Sequence, residues 1–295
     1  MSTPPFLDLP GTVRARRGAT PRGEFAYLDA APPDGLPTVG TALLVPGFTG
    51  GKEDFIALLD PLARRGYRTV ALDQRGQYET AGPSDPAAYE RAEAVADLWA
   101  VQDALLGGEP VHLVGHSYGG LVGRSAALDA PARLASLTLM STGPAAVRAT
   151  ETPRLVMLED ALAAFSLQQV WDAMRQMDAE AGVLPPADPR IAAYMKARWL
   201  ANAPAGLAAV ARQLRTEPDR TDELARCVAE GLRVAVVSGT RDYAWPVPWQ
   251  AETAARLGVP HTVVDGAAHS PNAERPEATA KVLADFWDAA AAVRG

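Results

Sequence analysis

One short run in the chain has residue types and spacing suited to covalent catalysis: Gly115-His116-Ser117-Tyr118-Gly119. It follows an apolar, strand-like run at 111–114 and opens a helical pattern that reaches about residue 130. A serine on so tight a strand-to-helix turn needs small neighbours, because larger side chains would collide with the backbone. Gly115, Gly119 and Gly120 meet that need. The turn also sets Ser117 near a helix N-terminus, where unpaired N–H groups and the helix dipole favour developing negative charge. The chemistry this suits is attack of a serine hydroxyl on an acyl carbon.

The elements that must position such a serine are legible on both sides of it. Two short alternating segments, at 12–17 and 24–30, are bounded by Pro/Gly turn signals and predict an N-terminal hairpin. Strand-like runs then alternate with helical patterns, the arrangement of βαβ units and a parallel sheet. Residues 41–45 read as a buried strand, 54–65 as a helix with Phe55, Leu58, Leu59 and Leu62 at helical spacing, and 69–72 as a strand. A long helix is predicted over 86–106, and strands over 111–114 and 134–140. From 143 to about 227 strand patterns stop. Two or three helical patterns take their place, marked by Leu158, Leu162 and Phe165 and later by Tyr194, Trp199 and Leu207, with loop signals at 182–189 and 202–206. Alternation resumes with a strand at 233–237, a helix at 247–257, a strand at 261–264 and a closing helix at 274–293.

At 295 residues the chain suits one large domain with an inserted subdomain: a core of 1–142 and 228–295 and a helical lid of 143–227. Hydrophobic residues make up 48% and charged residues 21%, which allows a substantial core and excludes a disordered chain. The formal net charge of −7, with acids and bases interspersed, lacks the footprint of a nucleic-acid binder. The single cysteine, Cys227, excludes an intrachain disulfide framework and a cysteine-pair zinc site. The first residues lack a secretory pattern, and no run is long and apolar enough to span a membrane, so a cytoplasmic protein is expected. The oligomeric state is not legible.

With Ser117 and these alternating elements in place, the chain resembles the α/β-hydrolase family over residues 24–295, the serine-nucleophile, esterase- or lipase-like branch with a helical lid. The resemblance implies a mostly parallel sheet flanked by helices and a triad in the order serine, acid, histidine. Ser117, Asp242 and His269 satisfy that order, each at the end of a strand-like run. Asp242 closes Val236-Val237-Ser238-Gly239-Thr240-Arg241-Asp242, a strand and a turn of the kind that presents the family's acid; Asp265, before Gly266, is the alternative and equally a turn residue. The stretch Ser141-Thr142-Gly143-Pro144, where some members carry the acid, has no carboxylate. His269, in Gly266-Ala267-Ala268-His269-Ser270-Pro271, resembles the family's histidine loop. The other histidines have structural readings: His112 within a strand, His116 facing away from the serine, and His261 at a strand start.

The same resemblance implies an oxyanion hole from the backbone N–H groups of Tyr118, after the nucleophile, and Phe48, in Val45-Pro46-Gly47-Phe48-Thr49-Gly50-Gly51. Pro-Gly stands where the family usually has His-Gly, which alters how this loop is held. Asp73-Gln74-Arg75-Gly76 resembles the family's D-x-R-G turn and reads as a polar brace. The Gln77-Tyr78-Glu79-Thr80 that follows replaces the familiar Gly- and Ser-bearing continuation. Trp245, Phe165 and Trp171, with Tyr243 and Trp249, are candidates for an acyl pocket, though core packing explains them as well. The expected activity is cleavage of a carboxylic ester or related acyl bond of a small to medium apolar substrate, with no metal and no organic cofactor. Two rivals stand beside it: an acyltransferase or perhydrolase using the same triad, and a non-catalytic ligand-binding protein that keeps the fold.

Overall fold

The computed structural model describes residues 1–291. The chain opens with a hairpin, β1 (Val13–Thr20) and β2 (Gly23–Ala30), paired antiparallel from Val13 opposite Ala30 to Thr20 opposite Gly23. After β3 (Gly40–Val45) come α1 (Ile56–Ala63), β4 (Tyr67–Leu72), α2 (Arg91–Leu105), β5 (Val111–His116), α3 (Tyr118–Asp129) and β6 (Leu134–Met140). Five helices then intervene: α4 (Thr152–Ala164), α5 (Leu167–Glu180), α6 (Pro189–Leu200), α7 (Pro204–Thr216) and α8 (Thr221–Ala229). The alternation returns with β7 (Val234–Gly239), α9 (Val247–Leu257), β8 (His261–Val264), a short α10 (Pro271–Glu274) and α11 (Pro276–Ala291).

The eight strands form one sheet in the order β1-β2-β4-β3-β5-β6-β7-β8, in which β2 alone runs against the others. Strands covered on both faces are mostly apolar, and every residue of β5 and β7 is buried, with the polar His112, His116 and Ser238 hydrogen-bonded. Side chains alternate between the faces along each strand. Leu43 and Val45 join the helices α2 and α3 through Leu98, Leu121 and Val122, whereas Ala42 and Leu44 join α1 and α11 through Leu58, Leu62, Leu283 and Trp287. Two helical layers thus clamp the sheet, and the loops leaving the C-terminal ends of β3, β5, β7 and β8 meet along one rim. That rim is where ligands bind in open parallel sheets.

The segment between β6 and β7 holds five helices rather than two or three, because short helices broken by Pro189 and Pro204 blur into one another in a periodicity count. Trp171, Ile191, Tyr194, Trp199 and Leu207 pack together within α5 to α7, so this segment has an apolar core of its own. Helix α8 departs from it: Leu224 packs in the layer beneath the sheet, and the boundary expected at 227 falls inside α8. The helix expected over 86–106 is interrupted. A 3-10 turn at Pro86–Tyr89 is buried by Tyr89, whose hydroxyl donates to the Pro83 carbonyl at 2.6 Å, and the chain is extended at Glu90 before α2 begins. The closing helix expected over 274–293 is α10 followed by α11; positions 292–293, like the end of the expected core segment, lie outside the described residues. Among the described residues no helix is long and apolar enough to cross a membrane.

Candidate active site

Ser117 sits between β5 and α3 with φ 56° and ψ −120°, a conformation that L-residues rarely adopt and that costs about 1–3 kcal/mol. Its surroundings hold it there. The Ser117 amide donates to the Met140 carbonyl at 2.8 Å, and the Ser117 carbonyl accepts from Thr142 Oγ1 at 2.8 Å. A Cβ on Gly120 would lie 2.0 Å from that same Thr142 oxygen, so only glycine lets the elbow dock on the loop after β6. Thr49, Tyr78 and Ser141 share positive φ with Ser117, and these four lie in the loops that follow β3, β4, β5 and β6. Backbone strain is concentrated at the C-terminal rim of the sheet.

His269 Nε2 lies 3.0 Å from Ser117 Oγ, and His269 Nδ1 lies 2.9 Å from Asp242 Oδ1, although these residues are 152 and 27 positions apart. The Asp242 carboxylate is fully buried and accepts three more donors: the amides of Ala244 at 2.9 Å and Trp245 at 3.2 Å on Oδ1, and Gln250 Nε2 at 3.0 Å on Oδ2. Asp265, the alternative acid, is exposed. With its Nδ1–H directed at a fixed carboxylate, the His269 ring presents Nε2 to the serine as an acceptor, the arrangement in which imidazole takes a hydroxyl proton.

His116, expected to be structural, bonds to the backbone of the histidine loop. It is among the residues around the Ser117 cavity and places Nε2 2.8 Å from the backbone carbonyl of His269. Burial, then the neighbouring His269, pull its pKa down to about 3, so the ring is neutral and its Nε2–H donates to that carbonyl. This bond ties the elbow to the histidine loop across 153 positions. Of the remaining histidines, His112 Nδ1 lies 2.8 Å from Ser136 Oγ and His261 Nε2 lies 2.9 Å from Ser238 Oγ, both within the sheet.

The loop after β3 approaches Ser117 closely: a Cβ on Gly47 would sit 2.9 Å from the serine Cβ. Neither the Phe48 nor the Tyr118 amide is taken up by a turn or loop carbonyl among the described residues, leaving both as free donors beside Ser117. The loop is held by Gln74 of the D-x-R-G turn, expected to be a polar brace, and by Gln77 of the departure that follows it. Gln74 Nε2 donates to the Pro46 carbonyl at 2.8 Å and Gln77 Nε2 to the Gly47 carbonyl at 2.9 Å, while Gln77 Oε1 accepts from the Gln74 amide. The departure at Gln77 thus has a structural role. Below the loop, Asp73 accepts from the Lys52 amide and ammonium, both at 2.8 Å. Burial works against the Lys52 charge, but the carboxylates of Asp73 and Glu53 outweigh it and raise its pKa. Arg198 of α6 adds a buried bond to Asp54 at 2.6 Å, joining the inserted helices to this region. The only legible signal for this network was the D-x-R-G turn.

A cavity of about 490 Å³ opens over Ser117, walled by Phe48, Val147, Leu158, Trp171, Trp199 and Trp245 among others. Trp245 is fully buried, stacks 6.3 Å from the His269 ring and donates Nε1–H to the Ala145 carbonyl. Trp171 belongs both to this wall and to the core of the inserted helices. Phe165 does not line the cavity and is 58% exposed, which corrects the expectation for it. The periodicity that grouped it with Leu158 and Leu162 fails because α4 ends at Ala164 and Phe165 is extended. Trp249 is also outside the wall. Among the described residues no group of three His, Cys, Asp or Glu side chains is placed to hold a metal ion.

A family model described as the alpha/beta hydrolase fold matches residues 42–195. Among curated proteins, a candidate carbamate hydrolase, RutD, of Variovorax paradoxus is 41% identical over 106 residues, covering 36% of this chain and 39% of that protein. The matched stretches span less than half the length of each of these curated relatives. Among solved structures, a thermophilic esterase from Thermogutta terrifontis superposes with a TM-score of 0.73 at 21% identity, covering 94% of this chain and 99% of that one. An enol-lactonase from Burkholderia xenovorans gives a TM-score of 0.73 at 20% identity, covering 92% and 100%. At such identities these likenesses speak for the fold alone.

Proposed function

The chain belongs to the alpha/beta hydrolase fold family, and on that premise we propose that it is a serine hydrolase cleaving a carboxylic ester or related acyl bond. The observation that carries this reading is the chain of contacts from Ser117 Oγ to His269 at 3.0 Å and on to Asp242 at 2.9 Å, at the floor of a cavity. His269 takes the serine proton as Oγ attacks the carbonyl carbon, and the resulting oxyanion is received by the Phe48 and Tyr118 amides. Collapse expels the leaving group, protonated by His269, and leaves an acyl-enzyme. Water, deprotonated by His269, attacks that acyl carbon; a second collapse releases the acid and restores the serine. Asp242 keeps the imidazole in the tautomer that offers Nε2 and stabilises the imidazolium without taking the proton.

The inserted helices act as a lid over a core that carries the triad, and their apolar wall with Trp171, facing Trp245 of the core across the cavity, suits a small to medium acyl substrate. The lid spans about 143–227, and Leu214 of α7 and Leu224 of α8 pack in the same cluster as core residues, anchoring its C-terminal part. A reducing, cytoplasmic compartment suits a chain whose single cysteine, Cys227, is free and half-buried. The test is a panel of nitrophenyl esters, lactones and carbamates with the wild type and Ser117→Ala, alongside fluorophosphonate labelling. Labelling at Ser117, with turnover lost by several orders of magnitude in the variant, is expected; unlabelled Ser117 or normal turnover by Ser117→Ala refutes the assignment.

A further inference from the structure

The charged side chains in the wall of the catalytic cavity are Glu151, Arg154, Arg175 and Asp178, and the Met1 amino group, its pKa lowered to about 6 chiefly by burial, lies in the same wall. Three of them are engaged within the protein. Arg175 pairs with Asp178 at 2.6 Å and covers the Trp171 ring at 4.6 Å, and Glu151 is met by Arg148 at 3.4 Å. Arg154 has no carboxylate partner among the described residues, although Glu151 precedes it by only three positions. It lies in the first turn of α4, where a cation faces the positive end of the helix dipole; no acid stands within that turn, and Glu151 is the N-cap. Its charge is nonetheless close to the chemistry. Arg154 shares the cavity wall with Tyr243, whose ring lies 4.8 Å from that of His269. The cavity therefore joins an apolar wall, a serine floor and one guanidinium without an ion-pair partner among the described residues.

We propose that Arg154 determines substrate choice by binding a carboxylate, so that the preferred substrate carries an anionic group remote from the carbonyl that Ser117 attacks. This rests on the serine-hydrolase reading and narrows its substrate class. A guanidinium pairs with a carboxylate through two parallel N–H···O bonds, which orients as well as attracts the ligand. Arg154 is exposed at the edge of this cavity, so its pairing with a ligand stays open to screening by salt. A medium-sized substrate with an apolar middle then spans from the oxyanion donors to Arg154. An arginine that merely faces solvent would treat charged and neutral substrates alike.

Two matched pairs of esters distinguish where the anion sits. Nitrophenyl hemiglutarate against nitrophenyl pentanoate places it on the acyl side; acetoxybenzoate against phenyl acetate places it on the leaving group. For Arg154→Gln, KM for the charged member of one pair is expected to rise about tenfold, equivalent to about 1.4 kcal/mol, while its neutral partner changes less than about twofold. Arg154→Lys should recover part of the loss, and the selectivity of the wild type should shrink as salt is raised toward about 1 M, where screening acts over roughly 3 Å. Glutarate or benzoate should also slow fluorophosphonate labelling of the wild type and not of Arg154→Gln. Equal effects of Arg154→Gln on charged and neutral members in both pairs, with no loss of protection by the free acids, overturn the role of Arg154. Ser117→Ala retaining turnover, or wild type refusing the probe, overturns the underlying serine reading instead.

Discussion

Replacing Asp242 by asparagine separates the orienting role of this residue from its charge. Oδ1 faces three donors, His269 Nδ1 and the amides of Ala244 and Trp245, whereas Oδ2 faces one, Gln250 Nε2. An asparagine must therefore keep its oxygen at the Oδ1 position and turn its amide nitrogen toward Gln250. Gln250 Oε1 has no partner and can accept that N–H by a flip, giving up the 2.8 Å bond from Nε2 to the Trp245 carbonyl. The structural cost is then about one hydrogen bond, on the order of 1 kcal/mol, or about 2–4 °C in Tm. The catalytic cost is larger. At 2.9 Å a carboxylate attracts an imidazolium by about 5–6 kcal/mol at an effective dielectric near 20, and the amide dipole in its place recovers part of that. With roughly 1.4 kcal/mol per tenfold, kcat is expected to fall by two to four orders of magnitude. Initial rates on a nitrophenyl ester, with thermal melts of both proteins and Asp265→Asn as an exposed control, measure this. A folded Asp242→Asn enzyme within about threefold of wild type refutes the argument, as does a large loss in Asp265→Asn.

Three further outcomes are expected. Gln74→Ala and Gln77→Ala each free a carbonyl of the Pro46-Gly47 loop and should lower kcat by about tenfold, roughly the worth of one misplaced donor, with melting temperatures within a few degrees; unchanged turnover in both contradicts the bracing role. The His116 pKa is held at about 3, below its ordinary 6.5, so the fold favours the neutral ring: this contribution is complete above pH 6.5 and is lost as pH falls from there toward 3, at up to about 1.4 kcal/mol per unit. Urea unfolding of His116→Gln should therefore vary less steeply with pH than wild type between pH 6.5 and 4, and parallel curves would count against it. Gly120→Ala drives a Cβ against Thr142 Oγ1 at 2.0 Å and should destabilise the protein by about 1–3 kcal/mol or more, read as a drop in melting temperature; an unshifted melt would show that the elbow has room to spare.

What the amino-acid sequence determined by itself was local. The apolar runs that became β5 and β7, the glycines around Ser117, and the endpoints of α9 and β8 follow from short-range sterics and from a periodicity repeated every two or three to four residues. Such signals act within a few positions, so they survive without knowledge of the partners. The positions of Asp242 and His269 were nameable because each closes a strand-like run, and their approach to Ser117 follows once those strands lie side by side. Tertiary packing decided the rest. The bond from His116 to the His269 carbonyl, the hold of Gln74 and Gln77 on the loop after β3, and the joining of Arg198 to Asp54 link residues between 28 and 153 positions apart. No periodicity encodes them. The same holds for Phe165, whose place on an apolar stripe ended where α4 ended, and for Arg154, an ordinary arginine in the sequence that becomes distinctive only when the folded helices bring it to the catalytic cavity without an ion-pair partner among the described residues.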